Sequence, residues 1–155
     1  MPQDRLGVYR QAGMDPAANS EKRAILVAED DSLLAADIEE AIRRTGHACV
    51  GPANSLSEVL RLIETSRIDA AILDVLLRHG EKVYPAADLL AARGIPFAFV
   101  TAYGAAHVEP RFVRFRTLAK PVLRQDLELL VEELIRSAGP RNPDRPLPHG
   151  LTAPR

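Results

Sequence analysis

Four short apolar runs in this chain each end on a reactive polar residue. Ala24-Ile25-Leu26-Val27-Ala28 precedes Glu29, Asp30 and Asp31. Asp69-Ala70-Ala71-Ile72-Leu73 precedes Asp74, Phe97-Ala98-Phe99-Val100 precedes Thr101, and Thr117-Leu118-Ala119 precedes Lys120-Pro121. If the runs are parallel strands, their C-terminal ends share one edge of a sheet, where open α/β sheets place their ligand sites. Clustered carboxylates repel one another and need a cation, and with carboxylate ligands and no soft donors that cation is a hard one such as Mg²⁺. A free carboxylate attacks phosphorus to give an acyl phosphate, while an ammonium and a hydroxyl bind the phosphoryl oxygens. Asp74, Lys120 and Thr101 have the side chains for those three roles. Each also has a plain structural reading, as helix cap, turn residue, strand residue or solvated charge. Four suitable types at four successive strand ends favour the joint one.

The elements that must position these residues follow from periodicity. The first strand covers residues 24–29, and Asp31 or Ser32 caps a helix over 33–45 that ends at Gly46. A short strand over 47–51, a turn at 52–54 and a helix begun by Ser55 or Ser57 come next, ahead of the strand ending at Asp74. A loop over 76–82 leads to a helix over 84–93 that tolerates Pro85 in its first turn. The strand ending at Thr101 is followed by a stretch with no clear helical stripe, where one or two turns over 105–109 and a short or irregular helix are expected. Residues 113–119 contain the last strand, and 123–137 form an amphipathic helix. This β-α alternation predicts one α/β domain, a five-stranded doubly wound parallel sheet in the flavodoxin-like order 2-1-3-4-5, over residues 24–137. Residues 1–23 read as a disordered leader. Residues 138–155, with Pro140, Pro143, Pro146, Pro148 and Pro154, read as a disordered tail.

The 155 residues suit one domain, and 46% hydrophobic with 26% charged residues is ordinary for a soluble protein. A formal net charge of -1 gives no general pull toward nucleic acid or membrane. The single cysteine, Cys49, excludes an internal disulfide and multi-cysteine zinc sites. No signal-peptide pattern or membrane-length apolar run is present, so the expected location is cytoplasmic. Phosphate-binding loops and dinucleotide fingerprints are absent, and His47, His79, His107 and His149 lack metal-ligand spacing.

The pieces Ile25-Leu26-Val27-Ala28-Glu29-Asp30-Asp31, Ala71-Ile72-Leu73-Asp74-Val75, Val100-Thr101-Ala102 and Leu118-Ala119-Lys120-Pro121 together resemble the receiver domains of two-component response regulators. The resemblance implies that Asp74 is the phosphoacceptor, that Asp30, Asp31, Asp74 and the Leu76 carbonyl hold Mg²⁺, and that Thr101 is the switch hydroxyl. Lys120 would contact the phosphoryl group, and the Lys120-Pro121 peptide would be cis. It implies a histidine kinase or histidine phosphotransfer protein as phosphodonor. Self-phosphorylation and self-dephosphorylation would be its only catalysis. Receivers usually carry an aromatic residue three before the lysine, but Thr117 stands there. Tyr103 resembles the aromatic that follows the switch strand in some stand-alone receivers, and either takes over the readout or is simply a loop residue.

With no output domain expected in the remaining chain, the reading is a stand-alone receiver that signals through protein contacts or acts as a phosphate sink. A phosphorylation-independent binding module with a receiver fold is the alternative that Thr117 and the short fourth helix support. Arg111, Phe112, Arg114, Phe115 and Arg116 raise a third reading, nucleic-acid binding, against an ordinary edge strand. Apolar Leu76 and aromatic Tyr103 flank the site and are expected to slow attacking water, lengthening the life of the phosphorylated form.

Overall fold

A computed structural model describes residues 21–141. Of the leader expected over residues 1–23 and the tail expected over 138–155, residues 1–20 and 142–155 lie outside the described residues, whereas Arg23 is buried, Ala138 ends the last helix and Arg141 pairs with Asp69, so the ordered chain is longer than expected at both ends. Five parallel strands form one sheet in the order β2-β1-β3-β4-β5. They are β1 (Ala24–Ala28), β2 (Ala48–Ala53), β3 (Ala70–Leu73), β4 (Phe97–Thr101) and β5 (Thr117–Ala119). Four α-helices cover it, α1 (Ser32–Arg44), α2 (Leu56–Thr65), α3 (Tyr84–Ala92) and α4 (Arg124–Ala138). This is the expected flavodoxin-like order.

The central strands are buried on both faces, which is why they read as unbroken apolar runs rather than alternations. Alternate residues of each strand point into two separate cores. Leu26, Ala71, Leu73, Phe97 and Phe99 pack with α2 and α3. Ile25, Val27, Ile72, Ala98 and Val100 pack with α1 and α4, through Ile38, Ile42, Leu127, Leu130 and Val131. Cys49 packs against this second core, and burial pushes its thiol up to about 11.

Registration of the strands brings their polar ends level. Ala28 pairs with Leu73 and Thr101 with Ala119, so Glu29 faces Asp74 while Lys120 follows directly beside Thr101. The Asp74 N–H donates to Ala28 O at 2.8 Å, and the Lys120 N–H to Thr101 O at 2.9 Å. Backbone hydrogen bonds therefore hold both junctions.

One stretch between the elements departs from the sequence expectation. β2 continues through Pro52 to Ala53 where a turn was expected. Its position at the sheet edge frees Pro52 from having to donate to a neighbour. The register against β1 shifts between Leu26 and Ala28, and Gly51 sits there at φ +96°. A Cβ on Gly51 would lie 2.8 Å from Ala53 N and 2.9 Å from Val27 O, so only glycine fits. Between β4 and β5 the chain makes two 3₁₀ turns, Ala105–His107 and Pro110–Phe112, the short and irregular helical stretch that the sequence predicts. Pro110 lacks the N–H that a continuous helix through 105–112 would use. Side chains anchor this stretch: Val108 and Phe112 are buried, the Phe112 ring stacks on Tyr84 at 5.4 Å, and the Tyr84 hydroxyl accepts from Glu109 N–H at 3.2 Å.

Candidate functional site

The acidic pocket is assembled by two strand ends and closed by a third. Glu29 and Asp30 follow β1, Asp74 follows β3, and Lys120 follows β5. Lys120 Nζ lies 2.7 Å from Asp74 Oδ2 and 3.0 Å from Glu29 Oε2, and donates to Glu29 Oε1 at 3.2 Å. One ammonium thus bridges two carboxylates that are almost wholly buried, Glu29 at 2% exposure and Asp74 at 6%. Burial draws the lysine down, but the hydrogen bonds and charges of Asp74 and Glu29 outweigh it and hold Lys120 above its ordinary value.

Glu29 is pushed the other way. Burial, reinforced by the Asp74 charge, raises it to about 7, against the opposing pull of the Asp31 N–H and of Lys120. Its Oε1 accepts from Asp31 N–H at 3.0 Å, whereas Oε2, although close to Lys120, is buried and accepts no hydrogen bond. A buried carboxylate oxygen without a donor is costly unless a proton or a cation satisfies it.

One oxygen each from Glu29, Asp30 and Asp74 lies within 4.8 Å of the others. That donor set is all hard oxygen, two of its members are buried and one faces solvent, which fits a divalent cation that keeps several waters. Asp31, expected beside Asp30, is not in this group. Its carboxylate caps α1, accepting from Leu33 N–H at 2.9 Å and Leu34 N–H at 3.3 Å. Glu29 takes the place given to Asp31 because the polar edge begins one residue earlier, directly after Ala28, and the third acid already belongs to the helix. The signal lay in the sequence: an acid followed by Ser32 and an apolar helical stripe is a capping pattern.

Asp74 Oδ1 accepts from Leu76 N–H at 3.3 Å, tying the loop to the acceptor, and Leu76 itself is half-buried and bridged to Lys82. Thr101 is 1% exposed, and its hydroxyl accepts from Tyr103 N–H at 3.4 Å. Tyr103 points outward at 58% exposure, its carbonyl 2.6 Å from His107 Nδ1. Thr117 is half-buried in β5, and the aromatics lie instead beneath the stretch between β4 and β5. The Lys120-Pro121 peptide is cis.

In the basic and aromatic cluster at 111–116 the rings pack against the protein while the arginines are exposed. Phe112 is in the core and Phe115 stacks on Phe97 at 4.1 Å. Arg111 pairs with Asp88 and Glu109, Arg116 with Glu133, and Arg114 lies over the Phe115 ring.

Comparison with known proteins agrees with this arrangement, although no family model matches the chain. The phyllosphere-induced regulator PhyR of Methylorubrum extorquens is 29% identical over 132 residues, 81% of this chain and 48% of PhyR. The receiver domain of sensor histidine kinase PA1611 from Pseudomonas aeruginosa, with magnesium coordinated in its active site cleft, superposes with a TM-score of 0.62 at 25% identity, covering 75% of this chain and 99% of that domain. SdrG from Sphingomonas melonis is 34% identical with a TM-score of 0.64, covering 77% of this chain and 97% of SdrG. The chain belongs to the response regulator receiver family. This receiver spans about half the length of PhyR. Among its described residues no helix is long and apolar enough to cross a membrane.

Proposed function

We propose that this receiver takes a phosphoryl group onto Asp74 from a histidine kinase or histidine phosphotransfer protein, with Mg²⁺ held by Glu29, Asp30 and Asp74 beside the Leu76 carbonyl. The observation that carries the reading is the Lys120 ammonium 2.7 Å from the Asp74 carboxylate, beside a buried acidic cluster. Magnesium in the cleft of the PA1611 receiver supports the metal assignment. When bound, the metal offsets negative charge on the incoming phosphoryl group.

A carboxylate oxygen of Asp74 attacks the phosphorus of a phosphohistidine. The P–O bond forms as the P–N bond breaks, and the neutral imidazole departs with the bonding pair and a proton from solvent. Lys120 moves with its hydrogen bonds from the carboxylate toward a phosphoryl oxygen, and Thr101, freed from the Tyr103 N–H, donates to another. Loss of that weak 3.4 Å contact lets the Tyr103 loop shift, which is the readout. This makes the domain a signalling module rather than a turnover enzyme. It works in the cytoplasm and either meets a protein target or drains phosphate from a relay.

The test is phosphorylation by acetyl phosphate, and amide spectra with beryllofluoride, both with Mg²⁺ and with Asp74→Asn as control. Modification and shifts at Thr101, Tyr103 and Lys120 that vanish in the variant are expected. Identical spectra in both proteins would favour a phosphorylation-independent binding module, the reading that Thr117 supports.

A further inference from the structure

A second polar pocket lies at the opposite edge of the sheet, where the strands begin. Arg23 precedes β1, Arg67 and Asp69 precede β3, Arg93 follows α3, and Arg141 lies beyond α4. They line a cavity of about 260 Å³. Asp69 is 4% exposed, and its charge is already answered: Ala24 N–H donates to Oδ2 at 2.9 Å, Arg141 Nη2 lies 3.2 Å from the same oxygen, and Arg23 Nη1 is 3.8 Å from Oδ1. Glu64 pairs with Arg93 at 2.7 Å, and Glu21 with Arg141 at 3.0 Å.

Four guanidinium groups therefore face three carboxylates, and among the described residues Arg67 forms no ion pair. The Arg23 side chain is nine-tenths buried, and Arg141 Nε is buried with no acceptor. A surplus positive charge around a half-enclosed cavity favours an anion, and the planar guanidinium fork matches tetrahedral oxyanions in particular. We propose that this pocket binds a phosphate group, free or carried by a small monoester, independently of the phosphoacceptor edge. Arg67 and Arg141 supply the donors, while Arg23 and Asp69 hold the pocket's shape.

The experiment titrates Mg²⁺-free protein, in the Asp74→Asn background, with inorganic phosphate, glycerol 3-phosphate or sodium chloride at matched ionic strength, following backbone amides. Saturable shifts at Arg67, Asp69, Gly94 and Gly139 with phosphate but not chloride are expected. Arg67→Ala should weaken them about tenfold, with no change in amides of the two cores. Arg141→Ala should act likewise. Tighter binding of glycerol 3-phosphate would assign the site to a monoester, and equal or weaker binding to free phosphate. Shifts that follow ionic strength alone, or that survive both arginine variants, would overturn the proposal.

Discussion

Replacing Glu29 by glutamine tests whether burial, rather than a neighbouring charge alone, governs the acidic pocket. Glu29 titrates at about 7 in the folded chain against 4.5 for a free glutamate. Between those values the folded chain keeps a proton that the unfolded chain has released. Stability therefore falls as pH rises through that window, by ~1.4 kcal/mol per pH unit, and the loss reaches about 3 kcal/mol just above pH 7. Glutamine keeps the shape and an oxygen able to accept from Asp31 N–H and Lys120, but nothing titrates. Urea unfolding of both proteins in metal-free buffer should show Glu29→Gln gaining on the wild type by about 2 to 3 kcal/mol between about pH 5 and about pH 8. A difference that stays constant across this range would refute the reasoning. Excess Mg²⁺ should flatten the wild-type slope, because the cation then supplies the charge that the proton otherwise supplies, and Mg²⁺ affinity should fall as pH drops below 7.

Lys120→Met removes the ammonium shared by Glu29 and Asp74; unfolding should show a loss of about 2 kcal/mol at pH 8 and less at pH 5, where Glu29 carries a proton. Tyr84→Phe deletes only the hydroxyl that accepts from Glu109 N–H, so a loss of about 1 kcal/mol is expected, with faster hydrogen exchange at Glu109 and unchanged exchange in β1. Leu76→Asn replaces an apolar side chain beside the acceptor with one able to orient water. Loss of label from the phosphorylated protein should be faster than in the wild type, and an equal rate would count against the idea that Leu76 shields the acyl phosphate. Cys49, half-buried and pushed up to about 11, should react with thiol reagents at neutral pH at least about tenfold more slowly than free cysteine.

The strands, and the placing of three candidate residues at their ends, were legible because burial on both faces leaves a continuous apolar run whose end is marked by the first polar side chain. That logic places Asp74, Thr101 and Lys120 without ambiguity. It falters where two roles compete for adjacent residues: Glu29, Asp30 and Asp31 are three acids in a row, and the choice between pocket and helix cap depends on where the β1 backbone stops pairing. The end of β2 was hidden for a different reason. Pro52 and Gly51 look like a turn, yet an edge strand tolerates both. The stretch between β4 and β5 carries no helical period because its structure is set by Phe112, Phe115 and Tyr84, which are brought together from two parts of the chain.

Those outer strands have a consequence for assembly. A sheet edge is a template on which another extended chain can grow by backbone pairing. Here one border carries Pro52, which offers no N–H, beside the kink at Gly51, and the other border, β5, is three residues long and stops at Pro121. The break in donors at Pro52 and the brevity of β5 both work against recruiting a foreign strand. Indiscriminate backbone pairing between copies is thereby disfavoured at both borders.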